Sequence, residues 1–184
     1  MDRVVSADLY RHNGLTGVAG FIKGLLTDPG FRYTYLLRKV ARHGRCTPIG
    51  LFYRLLKRRH SFTYGYQIDP AVEIGEGFFL SGHRAPTVVG SARIGRNCNV
   101  NHGVTIGRAV KNGETGYPTI GDYVWIGPGS VVSGPIHVGN HVLIAPNSFV
   151  NFDVPDHSIV IGNPGRVVKT ENPTVHHINH VLYE

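Results

Sequence analysis

One histidine, His83, stands where this 184-residue sequence breaks its own rhythm, and a second, His102, lies between that break and the next. A neutral imidazole at an accessible break has the pKa and the reach to take a proton from a hydroxyl, the work of a general base. Histidine alone decides little, because the chain holds 11 of them and most must be surface or packing residues. Position decides, and position depends on the elements that carry the two rings.

Those elements are read from a period of six. Aliphatic residues fall at Ile68, Ile74 and Leu80, then at Val88, Ile94, Val100 and Ile106, then at Ile120, Ile126, Val132, Val138, Ile144 and Val150. Glycine follows the aliphatic at Gly75, Gly95, Gly107, Gly121, Gly127 and Gly139, and small or β-branched residues such as Cys98, Val104, Ser130 and Ser148 stand two before it. Neither an α-helix nor an alternating strand repeats every six residues. A left-handed parallel β-helix of hexapeptide repeats does, with three short strands per coil and the aliphatic pointing into a triangular prism. Cys98 is then a core residue and not a nucleophile.

The period breaks twice. Leu80 to Val88 spans eight residues, two more than the repeat, and carries Ser81-Gly82-His83-Arg84-Ala85-Pro86. Ile106 to Ile120 spans fourteen and implies an extruded loop from Arg108 to Tyr117. With two residues inserted, Leu80 falls one coil from Val100, so His83 and His102 share an edge about one strand spacing apart. The loop leaves the same neighbourhood one hexapeptide later. Arg84 and Tyr117 are the candidate acceptor contacts.

Before Ile68 the pattern is helical. Asp28-Pro29 and Thr47-Pro48 each put a capping side chain before a proline suited to a first helical turn. Tyr33, Leu36, Leu37 and Val40 follow the first, and Leu51, Phe52, Leu55 and Leu56 the second, at the spacing of an apolar helical stripe. A further helix is expected from Val18 to Leu26. Helices this short should pack on one another or on a neighbour. Three segments result: helices over 1–66, β-helix over 67–168 and a tail over 169–184.

Charge narrows the partners. The formal net charge is +7, and between Pro29 and Ile68 there is no Asp or Glu, while Arg32, Arg38, Lys39, Arg42, Arg45, Arg54, Lys57, Arg58 and Arg59 all occur. This is either a solvated basic face or a contact for an anionic membrane or polymer. Nucleic acid is not expected as a partner. No apolar run is long enough for a transmembrane helix, and the first eight residues do not read as a signal peptide. Two distant cysteines suit a reducing cytoplasm.

The helical leader followed by Tyr66-Gln67-Ile68-Asp69-Pro70-Ala71-Val72-Glu73-Ile74-Gly75, by Gly82-His83 with Val88-Val89-Gly90, and by Gly103-Val104-Thr105-Ile106-Gly107 resembles the serine O-acetyltransferases. The run Gly162-Asn163-Pro164-Gly165-Arg166-Val167-Val168 resembles their terminal coil. The resemblance implies an acetyl-CoA-dependent O-acetyltransferase, with His83 as base and acetyl-CoA in the groove between subunits of a homotrimer. It further implies an oxyanion donor near the Gly107 turn, a pantetheine arm along Gly127-Pro128 and Ala145-Pro146, and CoA phosphates at Arg166 and Lys169. No metal is implied.

The chain departs from those enzymes at three places. Gly82, preceded by an extra Ser81, stands where they have an Asp before the base. Gln67 stands where they have the Asp that orients it. Gly116-Tyr117 replaces an Arg-His pair. An amino-acid acceptor needs charges for its ammonium and carboxylate, and a sugar hydroxyl does not. The expected acceptor is therefore a sugar or polysaccharide hydroxyl, as in the serine-acetyltransferase-like enzymes of bacterial polysaccharide loci. L-Serine is the alternative, and Gln67 or a backbone carbonyl is left to orient the base.

A zinc lyase of the γ-carbonic-anhydrase type is a third reading. It needs three histidines converging across a subunit interface, for which His83, His102, His137 and His141 supply atoms, but the helical leader and the terminal Gly-Asn-Pro-Gly-Arg argue against it. The tail residues His176 and His180, lacking an acidic or thiol partner, read as a flexible end. The tail closes on Glu184 where serine acetyltransferases carry an Ile that enters a sulfhydrylase, so that partner is not expected. Trp125 is expected to pack on the outer face.

Overall fold

The computed structural model describes residues 2–44 and 46–182; Arg45 of the basic segment and Glu184 lie outside the described residues. Four helices precede the strands: α1 (Arg3–Arg11), α2 (Gly17–Thr27), α3 (Pro29–Arg42) and α4 (Pro48–Tyr64). The caps read in the sequence are formed, since Asp28 accepts from Phe31 N and Thr47 from Gly50 N, each with its proline at the helix start. α1 went unread, although Asp2 accepts from Val4 N and is a sequence-level start signal.

The rest is a prism with three faces of parallel strands, the hexapeptide β-helix expected from the period. Face A stacks β1 (Tyr66–Ile68), β4 (Thr87–Val89), β7 (Thr105–Gly107), β12 (Val131–Ser133) and β15 (Phe149–Val150). Face B stacks β2 (Glu73–Ile74), β5 (Arg93–Ile94), β10 (Thr119–Ile120) and β13 (His137–Val138). Face C stacks β3 (Phe79–Leu80), β6 (Asn99–Val100), β11 (Trp125–Ile126), β14 (Val142–Ile144) and β16 (Ser158–Ile161), closed by β17 (Arg166–Lys169), which turns back antiparallel. A hairpin, β8 (Ala109–Lys111) and β9 (Glu114–Gly116), projects between β7 and β10.

The core is the column of inward aliphatics, with Leu80, Val100, Ile106, Ile126, Val132, Val138, Ile144 and Val150 all without exposed surface. Cys98 is buried among them, and burial pushes its thiol up to about 12, so it carries no thiolate at neutral pH. One expected inward residue is wrong. Val89, not Val88, pairs with Ile68 and Ile106 and is buried. The insertion after Leu80 is therefore one residue longer than the period suggested, and the next segment one shorter. In a strand a slip of one residue exchanges the inside for the outside.

The leader is bolted to the first coils by buried polar contacts. Arg38 grips both oxygens of Asp8, at 3.0 and 3.2 Å, and donates to the Ile74 and Gly75 carbonyls. Asp8 also accepts from Phe78 N; burial still raises its pKa, against the pull of Arg38. Arg11 donates to the Gly77 carbonyl and to Asn99, and His12 stacks on Phe79 with centroids 4.7 Å apart. Much of the basic segment is thus spent internally: Arg32 on the Leu25 and Leu26 carbonyls, Arg38 on Asp8, and Lys57 on the Ile68 carbonyl.

The two apolar stripes of α3 and α4 have opposite fates. Tyr33, Leu36, Leu37 and Val40 are buried as expected. Leu51, Phe52 and Leu55, expected to pack, are each more than half exposed. The side of α4 that meets the protein carries Tyr53, Lys57, Ser61 and Tyr64 instead, where polar groups complete local bonds such as Tyr33 OH to Ser61 at 3.3 Å.

The tail is not a loose end. It lies back across face C, with Thr174 and Ile178 buried, the His177 carbonyl accepting from Asn99, and the His177 ring 4.7 Å from that of Trp125. His180 meets Tyr10 edge-on at 5.7 Å.

Candidate active site

His83 follows directly from the coil geometry. Leu80 pairs with Val100, Val100 with Ile126, Ile126 with Ile144 and Ile144 with Val160. The corner after these residues, where face C turns into face A, therefore stacks Gly82, His102, Pro128, Pro146 and Gly162 into one ledge. His83 stands one residue beyond, on the inserted turn. Its ring and that of His102 have centroids 4.9 Å apart, tilted by 45°.

The turn is held from both sides. Ser81 N donates to the Val100 carbonyl, Tyr66 OH donates to the Ser81 carbonyl at 2.9 Å, and Ala85 N donates to the His83 carbonyl. The start of α3 presses on it from the leader: a Cβ on Gly30 would sit 1.9 Å from the Leu80 carbonyl oxygen, so only glycine fits there. His83 is exposed, and its Nδ1 lies 2.8 Å from Ser81 Oγ. With Nδ1–H donating to that hydroxyl, Nε2 keeps its lone pair, as a general base requires.

Ser81, read in the sequence only as an inserted residue, thus takes the place assigned to Gln67. Gln67 is an exposed residue of β1, paired with Val88, and among the described residues it makes no hydrogen bond to the ring. Its outward direction follows from strand alternation between the buried Tyr66 and Ile68. His102 Nδ1 is buried without a partner among the described residues.

Gly107 does not join the two histidines within one chain. It ends β7, at the opposite edge of face A, because one hexapeptide onward is the next corner of the triangle. Gly127, Pro128, Ala145 and Pro146 do lie on the ledge, though Gly127 has a packing reason of its own: a Cβ there would stand 2.6 Å from Pro146 N. Arg166 pairs with Ile161 and so lies at the upper end of that edge. Lys169 pairs with Ser158, across face C, and leaves it. Arg84 is exposed, its guanidinium 5.3 Å from the Tyr64 ring centroid. Tyr117 packs against Gly90, where a Cβ would be 2.3 Å from its ring, at the base of the hairpin.

A carboxylate from the start of α3 lies beside Gly82. Asp28 Oδ1 lies 3.8 Å from where a Cβ on Gly82 would be. Its other oxygen is 2.7 Å from His12 Nδ1. Burial works to raise this carboxyl, but the His12 contact and the backbone N–H groups of Phe31 and Gly30 hold it below the usual carboxylate range. It was legible in the sequence only as a helix cap. The four histidines of the zinc reading are spread over two edges and a face, and among the described residues no three metal-binding side chains converge.

Comparison with known proteins agrees with this architecture. Residues 117–151 match the sequence model of the bacterial transferase hexapeptide (six repeats). A serine acetyltransferase of Bacillus pumilus is 42% identical over 116 residues, 62% of this chain and 53% of that protein. One of Synechococcus elongatus is 32% identical over 157 residues, 85% of this chain and 64% of that protein. The crystal structure of serine acetyltransferase from Neisseria gonorrhoeae superposes with a TM-score of 0.74 at 32% identity, covering 92% of this chain and 65% of that one. The chain belongs to the hexapeptide-repeat transferases. Within them it is a homologue of the serine acetyltransferases, although it spans only 35% to 64% of the length of such curated relatives.

These relatives overturn the expected sugar or polysaccharide acceptor. Every protein named above is a serine acetyltransferase, and none supports a polysaccharide-locus type. The inference failed because it looked for charge only at aligned positions. Asp28 comes to the turn from the start of α3, outside the aligned positions, and Arg84 stands exposed on the turn itself, one residue after His83.

Proposed function

We propose that the chain is an acetyl-CoA-dependent serine O-acetyltransferase. The observation that carries this is the His83–His102 pair on the ledge, with Nδ1 of His83 engaged by Ser81 and Nε2 free. His83 Nε2 takes the hydroxyl proton of serine as the oxygen attacks the thioester carbonyl of acetyl-CoA. The tetrahedral intermediate then expels the CoA sulfur as the C–S bond breaks. The imidazolium returns the proton to that sulfur, leaving O-acetylserine, CoA and neutral His83.

The pantetheine arm runs along the Gly127-Pro128 and Ala145-Pro146 steps of the ledge toward Arg166, which meets a CoA phosphate. Asp28 faces the ammonium of serine and Arg84 its carboxylate. Three copies pack with ledges between them, which brings a neighbour's hairpin or Gly107 turn to the site that a single chain leaves open. The cytoplasm, where acetyl-CoA and reduced cysteines coexist, is the compartment that suits it.

The test is CoA thiol release by the purified chain with L-serine and, in parallel, a panel of saccharides. The expected result is release that depends on L-serine, with O-acetylserine as product. Release with saccharides and none with L-serine overturns the acceptor, and no release with any acceptor overturns the activity.

A further inference from the structure

α4 is amphipathic in the wrong sense for a helix that only covers a core. A surface helix turns its apolar stripe inward and its charges to water. Here Leu51, Phe52, Leu55 and Phe62 point outward, Phe62 with 78% of its surface exposed, while Tyr53, Lys57 and Ser61 face the protein. α2 repeats the pattern: Val18, Ile22 and Leu26, four residues apart on one side, are 76%, 53% and 72% exposed, and its one buried residue is Gly24. The two helices flank α3, and between them runs an apolar groove of about 330 Å³ that both Leu25 and Leu56 line.

The charge carried by these two helices has one sign. Neither α2 nor α4 contains an Asp or Glu, and Lys23, Arg58 and Arg59 lie on their exposed sides. Arg58 folds over the Phe62 ring at 5.7 Å, placing cation and aromatic at the same level. A second copy meeting this surface through the same face would set cation against cation. An anionic lipid surface complements both features, taking the apolar side chains between its headgroups and the cations beside its phosphates. No described helix is long and apolar enough to cross a membrane, so the contact is peripheral.

We propose that the outward faces of α2 and α4 form a docking surface for an anionic lipid bilayer. The contact uses no residue of the ledge and is independent of the acceptor. It orients the chain with its leader on the membrane.

The test is co-sedimentation of the full chain with vesicles of phosphatidylglycerol and phosphatidylcholine, against vesicles of phosphatidylcholine alone. Binding should be at least about tenfold stronger to the anionic vesicles and should weaken as salt is raised. The exposed double substitution Leu55→Ser with Phe62→Ser should lower it about tenfold, and Arg58→Gln with Arg59→Gln should remove most of its salt dependence. Circular dichroism checks that both variants keep their helices. Equal binding to both vesicle types, or unchanged binding by the Leu55/Phe62 variant, overturns the proposal. So does a drop in that variant's oligomeric mass by light scattering, which assigns the face to a second copy.

Discussion

Two edges of the same prism carry stacked histidines, and they differ in almost everything else. On the edge between faces B and C, Tyr123, His141 and His157 form a continuous stack with centroid spacings of 4.8 and 5.0 Å and rings within 9° of parallel. All three have positive φ, and each occupies the left-handed corner of its own coil. This pile is a product of regularity: the repeat delivers one ring per coil, and each ring covers the last. On the edge between faces C and A, His83 and His102 meet at 45° because an insertion displaced one of them. His83 is left with an exposed ring and a bonded Nδ1, and the next coil after His102 carries Pro128 in place of a third aromatic ring. Irregularity is what frees an imidazole for chemistry, while strict repetition uses it as packing.

Substitutions that leave the base in place should sharpen that contrast. The largest effect is expected at Gly30, whose Cβ would collide with the Leu80 carbonyl behind the irregular edge. Gly30→Ala should cost about 2–3 kcal/mol of stability through overpacking against backbone, read as a lower midpoint in denaturant unfolding. Next is Ser81→Ala, which removes the partner of His83 Nδ1 without touching either substrate. It should lower kcat about three- to tenfold, the worth of one net hydrogen bond, and leave KM unchanged. A fall in KM-dependent binding alone would mean that Ser81 does not position the ring.

The smallest effect belongs to the regular edge and depends on pH. Burial and the neighbouring His157 lower the pKa of His141, against the pull of Asp156 and Asp122. The unfolded chain then binds a proton that the folded chain resists. The stability His141 permits above its ordinary value of 6.5 is lost progressively as pH falls below it. His141→Asn keeps a residue at home with φ of 51°. It should flatten the acid side of the profile of Tm against pH and leave turnover intact.

How much of this was legible depended on whether a signal was local. The coils were, because each inward aliphatic repeats after six residues. The one error there, Val88 for Val89, arose because an insertion of unknown length erases phase until the next strand restores it. The Asn112-Gly113 turn of the hairpin was also open to reading, since both residues take positive φ as a tight hairpin turn requires, yet the segment reads as an unstructured loop when only the period is followed. Asp28 beside Gly82 was not legible: the contact joins residues from separate elements, and in sequence the carboxylate is fully accounted for as a cap. The outward stripe of α4 was equally hidden, because spacing fixes which residues share a face and not which way that face looks.

The claim that acyl transfer runs on the irregular edge is tested most directly by L-serine-dependent CoA release in two variants compared side by side, His83→Ala and His141→Ala. Loss of the base should lower kcat by about 10²-fold or more, the range of general base catalysis, while loss of the stacked ring should leave it within about twofold. Equal activities in the two variants, or a larger loss in His141→Ala, would contradict it.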